Sequence, residues 1–163
     1  MTRDSGFGIR DSGFGIPVAI ALGSNLGDRE RCLRDALALL EPTVHGLRAS
    51  SFHETDPVGV GDQPRFLNAA AIGRTTLTAR ALLDILLDIE RRFGRERPWP
   101  GAPRTLDLDL ILYGSAIVDE PGLVVPHPRF RERRFVLEPL AQIAGDWVDP
   151  VTGRRVGELA GSR

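Results

Sequence analysis

The chain has 163 residues, 42% hydrophobic and 26% charged, a balance that suits one globular domain and argues against a mainly disordered chain. Its 21 basic and 22 acidic side chains leave a formal net charge of −1, so no global basic field attracts nucleic acid or an anionic membrane. Every basic side chain is Arg, and the absence of Lys excludes Schiff-base chemistry and a Walker-type phosphate lysine.

The heptapeptide Arg-Asp-Ser-Gly-Phe-Gly-Ile occupies residues 3–9 and again 10–16. Two copies are too few for a solenoid, and their glycines favour flexibility, so a leader over residues 1–15 is expected ahead of a single domain over 16–163. A short interaction tail is the alternative. The apolar run from Ile16 to Leu22 reads as a buried strand, followed by a tight turn over Gly23-Ser24-Asn25-Leu26-Gly27-Asp28. Asp28 is placed to cap a helix that carries Cys32, Leu33, Ala36, Leu37 and Leu40 at helical spacing and ends at Pro42.

Residues 44–52 read as a second strand and 66–75 as a third, separated by a Gly/Pro-rich loop over 54–64. Thr78 can cap a helix with Leu82, Leu83, Leu86, Ile89 and Phe93 on one face, and Gly94 is placed as its C′ glycine. A second long loop spans 95–103. Residues 106–113 then read as a strand, Val124 and Val125 as a short extended piece, and 135–143 as a final helix. The two loops are expected to close over a ligand. Hairpin-paired strands make an α+β, ferredoxin-like sandwich, a mainly antiparallel sheet with helices packed on its faces.

The lone Cys32 excludes an intramolecular disulfide, and the longest apolar runs fall far below the roughly 20 residues that span a bilayer. The expectation is a reduced, cytoplasmic protein. Chemistry concentrates in Pro103-Arg104-Thr105-Leu106-Asp107-Leu108-Asp109-Leu110. Strand side chains alternate with period two, so Asp107 and Asp109 point one way and Leu106, Leu108 and Leu110 point into the core. Hard carboxylate oxygens at this spacing suit Mg²⁺; solvated acids on an edge strand are the competing reading. Arg95, Arg97 and Arg104 lie in or beside the preceding loop, and arginine forks beside a carboxylate pair suit a polyphosphate.

A second basic cluster, Arg129 to Arg134, follows His127, whose flanking prolines restrict its backbone. It is either a phosphate donor with its arginines or a loop-packing ring beside a solvated face. Asn68 shares a strand face with Phe66, and its amide could read a flat heterocycle or tie down the preceding loop. Trp99, Phe66 and Phe135 are candidate aromatic walls or ordinary core. Glu90, an acid among leucines, could anchor Arg95 or a ligand hydroxyl, or join a surface salt bridge.

These segments together resemble the 6-hydroxymethyl-7,8-dihydropterin pyrophosphokinase family. The resemblance runs from about Ile16 to Leu140 and rests on Ala21 to Asp28, Ser50-Ser51-Phe52, Thr55-Asp56-Pro57, Asp62-Gln63-Pro64, Phe66 to Ala69, Pro103 to Asp109, and Val125 to Pro128. It implies a ferredoxin-like fold and transfer of diphosphate from ATP to the pterin hydroxymethyl group, with release of AMP, in folate biosynthesis. It implies two Mg²⁺ ions on Asp107 and Asp109, and ATP contacts from Glu90, Arg95, Arg97, Arg104, His127 and Arg133. Arg95 and Arg104 join the two aspartates as catalytic. The pterin pocket is implied at Thr55, Asp56, Pro57, Val58, Phe66, Asn68, Trp99 and Phe135. The expected partners are small molecules, without nucleic acid or membrane, and the expected state is a monomer. The rival reading is a non-catalytic ferredoxin-like module that binds a ligand or RNA through its sheet.

Overall fold

The computed structural model describes residues 15–25, 27–55, 65–94 and 106–161. The duplicated leader up to residue 14 therefore lies outside the described residues, as do most of the 54–64 loop and all of the 95–103 loop. Strand β1 (Ile16–Ser24) is buried along nearly its whole length, the mark of a central strand covered on both faces. Helix α1 (Arg29–Leu40) begins at Asp28, whose side chain accepts a hydrogen bond from the Arg31 N–H at 3.2 Å. Gly27, at φ 69°, supplies the left-handed backbone that lets the chain turn into this helix.

Two short strands, β2 (His45–Ala49) and β3 (His53–Thr55), replace the single strand expected over 44–52. Both pair antiparallel with the long strand β4 (Phe66–Thr75), β2 toward its end and β3 at its start. The break falls at Ser50, whose N–H donates to the Ala70 carbonyl and whose hydroxyl accepts from the Ala70 N–H. Side-chain bonding thus takes up β4's hydrogen-bonding groups between the two strands. Glu54 and Thr55, expected in a loop, consequently belong to the sheet. β1 likewise runs through Gly23 and Ser24, so the turn expected from Gly23 starts after Ser24.

Helix α2 (Ala79–Gly94) starts at Thr78, which accepts from the Ala81 N–H at 3.1 Å, and Gly94 is its last helical residue rather than a C′ cap. Strand β5 (Asp107–Tyr113) follows, then the hairpin of β6 (Val118–Glu120) and β7 (Leu123–Val125). Only β7 is legible as an extended piece, from its adjacent valines; β6, Val118-Asp119-Glu120, offers no apolar run. A 3₁₀ turn over Phe130–Glu132 leads into α3 (Arg134–Ala144), and α4 (Val156–Gly161) lies beyond the helix expected to be the last.

The sheet order is β2-β4-β1-β5, with β3 also on β4, and the pairings of β1 with β4 and β5, and of β2 and β3 with β4, are all antiparallel. This is the ferredoxin-like α+β arrangement expected from the element order. Helices cover both faces of the sheet, as expected. Val18, Ile20, Leu22, Leu108 and Leu110 pack against α1 and α2, whereas Ala19, Ala21, Ala70, Ile72 and Ile111 pack against Phe130, α3 and α4. The alternating side chains of β1 are apolar on both sides, with small alanines where α3 approaches. No helix among the described residues is long and apolar enough to cross a membrane.

Candidate active site

Register builds the site. Gly23 on β1 pairs with Asp107 on β5 and with Asn68 on β4, and Ala21 pairs with Asp109 and Ala70. Paired residues on neighbouring strands point to the same side, so Asp107, Asp109, Gly23, Asn68 and Phe66 share the face on which α3 packs. Thr55 and His53 on β3 oppose Phe66 and Asn68 and extend that face across the sheet. Leu106, Leu108 and Leu110 point the other way and are at most 5% exposed. The alternation expected for Asp107 and Asp109 is therefore present.

Asn68 is buried, and its Nδ2 donates to Thr55 Oγ1 at 2.7 Å. The amide thus has a defined orientation set by β3, so it also ties down the chain ahead of β4, as its structural reading anticipated. Gly23 lies against it: a methyl group there would sit 3.1 Å from Asn68 Oδ1 and 3.9 Å from Phe66 Cδ1. Gly23 thus leaves space in front of Asn68 that a side chain would fill, a role its place in a turn-like Gly-Ser-Asn sequence does not signal. Phe135, in the first turn of α3, is half-buried against the same side, and the Arg133 guanidinium lies 5.6 Å from its ring centroid.

A cleft of about 350 Å³ opens beside Asp109, bounded by Leu83, Leu87 and Glu90 of α2, by Leu123 to Val125, and by His127. Glu90 Oε2 accepts the Leu108 N–H at 2.6 Å, which ties the end of α2 to β5. A sequence scan cannot reveal this backbone contact, since it depends on how α2 docks. The His127 N–H donates to the Ile111 carbonyl, and its Nδ1 accepts from the Arg129 N–H at 3.2 Å. That bond places the proton of the neutral ring on Nε2, which faces Asp109 Oδ1 at 4.0 Å. Burial pushes the His127 pKa down, the Asp109 charge opposes this, and Arg133 and Arg129 add to the lowering. The net effect favours the neutral ring, whose donor is Nε2–H.

Arg95, Arg97 and Arg104, with Asp56, Pro57, Val58 and Trp99, lie outside the described residues. Among the described residues no group of three His, Cys, Asp or Glu side chains forms a metal cluster. The donor chemistry nonetheless fits magnesium: Asp107 and Asp109 are partly exposed on one face, and Mg²⁺ is usually held by one or two carboxylates with substrate phosphate and water. Tyr113, the sole tyrosine, is half-buried and donates to the Leu77 carbonyl at 2.6 Å, so it is no exposed stacking platform for RNA.

The family described as 7,8-dihydro-6-hydroxymethylpterin-pyrophosphokinase matches residues 19–145. The chain is 49% identical over 126 residues to the 2-amino-4-hydroxy-6-hydroxymethyldihydropteridine pyrophosphokinase of Bacillus subtilis, covering 76% of this chain and 75% of that protein. It is 43% identical over 144 residues to the protein of the same name from Pseudomonas aeruginosa, covering 87% of this chain and 88% of that one. A mitochondrial folate synthesis bifunctional protein of Arabidopsis thaliana is 47% identical over 133 residues, 81% of this chain, but the chain spans only 24% of its length. Among solved structures, Plasmodium falciparum HPPK-DHPS superposes with a TM-score of 0.74 over 90% of this chain and 44% of that chain; at 12% identity the likeness is one of fold.

Proposed function

Because this chain belongs to the 7,8-dihydro-6-hydroxymethylpterin-pyrophosphokinase family, we propose that it transfers diphosphate from ATP to the hydroxymethyl group of 6-hydroxymethyl-7,8-dihydropterin, releasing AMP. It does so as a single catalytic domain over residues 16–163, a cytoplasmic monomer acting on small molecules in folate synthesis. The observation that carries the reading is the register that sets two carboxylates on β5 and a buried amide on β4 to either side of Gly23. A polyphosphate and a flat heterocycle can meet at that end of the sheet.

Phe66 and Phe135 flank the pterin ring, and Asn68, oriented by Thr55, reads its donor–acceptor edge. Asp56, Pro57, Val58 and Trp99 complete the pocket by the family resemblance. The nucleotide takes the cleft bounded by α2 and β7, with Glu90 and His127 on its polar side. His127 donates from Nε2 to a nucleotide oxygen, while Arg97 and Arg133 hold phosphate oxygens. Asp107 and Asp109 hold the magnesium, assigned as two ions. When bound, the metal polarises phosphoryl oxygens and offsets their charge.

The pterin hydroxyl oxygen attacks the β-phosphorus, the bond from that phosphorus to the bridging oxygen breaks, and AMP leaves with the bridging oxygen. Arg95 and Arg104 stabilise the charge that develops on the transferring group and the leaving oxygen. No side chain assigned to the site is a strong base, so the hydroxyl proton passes to solvent. Holding both substrates on one rigid sheet end supplies the orientation that in-line displacement requires.

The test is AMP release from ATP, Mg²⁺ and the pterin. Asp107→Ala and Asp109→Ala should each lower kcat by about 100-fold or more, as loss of metal-based charge stabilisation does, with the melting temperature nearly unchanged. Near-normal turnover of either variant contradicts the assignment. Binding of ATP and pterin without AMP formation would instead favour the binding-module reading.

A further inference from the structure

Strand β3 has only three residues, yet its Thr55 orients the buried Asn68 amide. So short a strand does not hold its own position. On its α1 side lies a cleft of about 420 Å³ bounded by Gly27, Phe52, Glu54 and Leu67, in place of close packing. Arg29 of α1 lines that cleft and reaches β3 from it. Arg29, the first residue of α1, donates from Nη2 to Glu54 Oε2 at 2.8 Å and from Nη1 to the Arg65 carbonyl at 2.7 Å. A single planar fork therefore grips the middle residue of β3 and the residue just before β4. Arg65 adds a looser contact to Glu54 at 3.7 Å.

The anchor is rigid. Arg29 sits one residue after the Asp28 cap, on a helix docked by the buried Cys32, Leu33, Ala36 and Leu40. The Arg29 hydrogen bond is the main reason the Glu54 carboxyl is held below its ordinary range, so the pair is charged throughout the neutral region. On the opposite face, Gln142 of α3 accepts from the Ser51 N–H at 3.2 Å and the Ser51 hydroxyl at 3.0 Å, with His53 Nε2 at 3.2 Å. β3 is thus held from the α3 side at and just before its first residue, and from the α1 side, by Arg29, at its middle residue.

We propose that Arg29 is a positioning residue for pterin recognition: by clamping Glu54 to the Arg65 carbonyl it fixes Thr55, and through Thr55 the orientation of the Asn68 amide. The inference rests on the pterin assignment above. An amide that turns over exchanges its donor and acceptor, and a heterocycle edge then meets like against like. Arg29 touches neither substrate. Its loss weakens pterin recognition and leaves the nucleotide half, across the sheet at β5 and α2, in place. Lys cannot reproduce the two-pronged contact, since its ammonium is a point donor rather than a fork.

Steady-state AMP release with each substrate varied in turn reads this directly, on wild type, Arg29→Ala, Arg29→Lys and Glu54→Gln. Arg29→Ala should raise KM for the pterin about tenfold, the scale of one lost charge-assisted interaction, with KM for ATP and kcat within about twofold of wild type. Arg29→Lys and Glu54→Gln should fall between. A uniform loss of activity in proportion to lost melting temperature, an unchanged pterin KM, or a parallel rise in KM for ATP overturns the clamp. Failure of the wild type itself to bind the pterin or release AMP would overturn the pterin assignment, and this inference with it.

Discussion

At the scale of single residues, two features of the site differ in how they were encoded. Asp107 and Asp109 were legible because a two-residue spacing in an apolar strand fixes which way side chains point. Gly23 was not, because its importance lies in what faces it from β4. Its replacement by Ala would put a methyl group 3.1 Å from Asn68 Oδ1. Gly23→Ala should therefore raise KM for the pterin about fivefold, roughly 1 kcal/mol of crowding in a close-packed pocket, while KM for ATP changes less than twofold. Substrate-varied AMP assays check this, and equal effects on both substrates would place Gly23 outside the pterin half. Removal of divalent cations by a chelator should abolish AMP release in wild type, and added Mg²⁺ should restore it.

At the scale of elements, the segment from His127 to Arg133 is held by its neighbours rather than by its own composition. Four arginines between 129 and 134 read as one basic cluster, yet they have separate tasks. Arg131 makes a two-pronged bond to Asp149, at 2.5 Å and 3.0 Å, while its guanidinium lies over the buried Phe130 ring. Arg134 instead pairs with Glu138 along α3. Asp149 is fully buried and also accepts from the Thr152 hydroxyl and the Val151 N–H. Burial alone would raise its pKa, but the bonds from Arg131, Thr152 and Val151 outweigh it and hold the carboxyl below its ordinary range.

A depressed carboxyl pKa stabilises the fold fully above the unfolded value, about 4, and loses that contribution as pH falls through the folded value. Asp149→Asn should lower stability at pH 7 by about 2 kcal/mol, on the order of 4–8 °C in melting temperature, as Arg131 loses its buried partner. The gap between wild type and variant should narrow below pH 4. Melting curves across pH 2–7 test it, and a gap independent of pH would remove the charge from the explanation.

At the scale of the whole molecule, β1 contributes alternate side chains to two cores, with Ile20 facing α1 and α2 and Ala19 facing α3. One strand shared by both layers couples them mechanically. Leu82→Ala on one side and Leu137→Ala on the other should each cost about 2–5 kcal/mol. Both should shift the urea midpoint of one transition without changing its slope. Two separable transitions in either variant would show that the faces unfold independently. The α3 side of the sheet carries small residues, Ala19, Ala21 and Ala70. They are small because α3 lies close.

The amino-acid order by itself determined the local directions: which side of β5 the acids take, which stripe of α1 and α2 is apolar, and the motif run that marks the family. Those follow from backbone geometry with a repeat of two or 3.6 residues, which neighbours in sequence suffice to set. Tertiary structure alone decided that Gly23 lies between Asn68 and Asp107, that β3 borders Asn68, and that Arg29 holds β3 from behind. Register between distant strands and the docking of a helix end depend on the packing of the entire domain, so no short window of residues contains them.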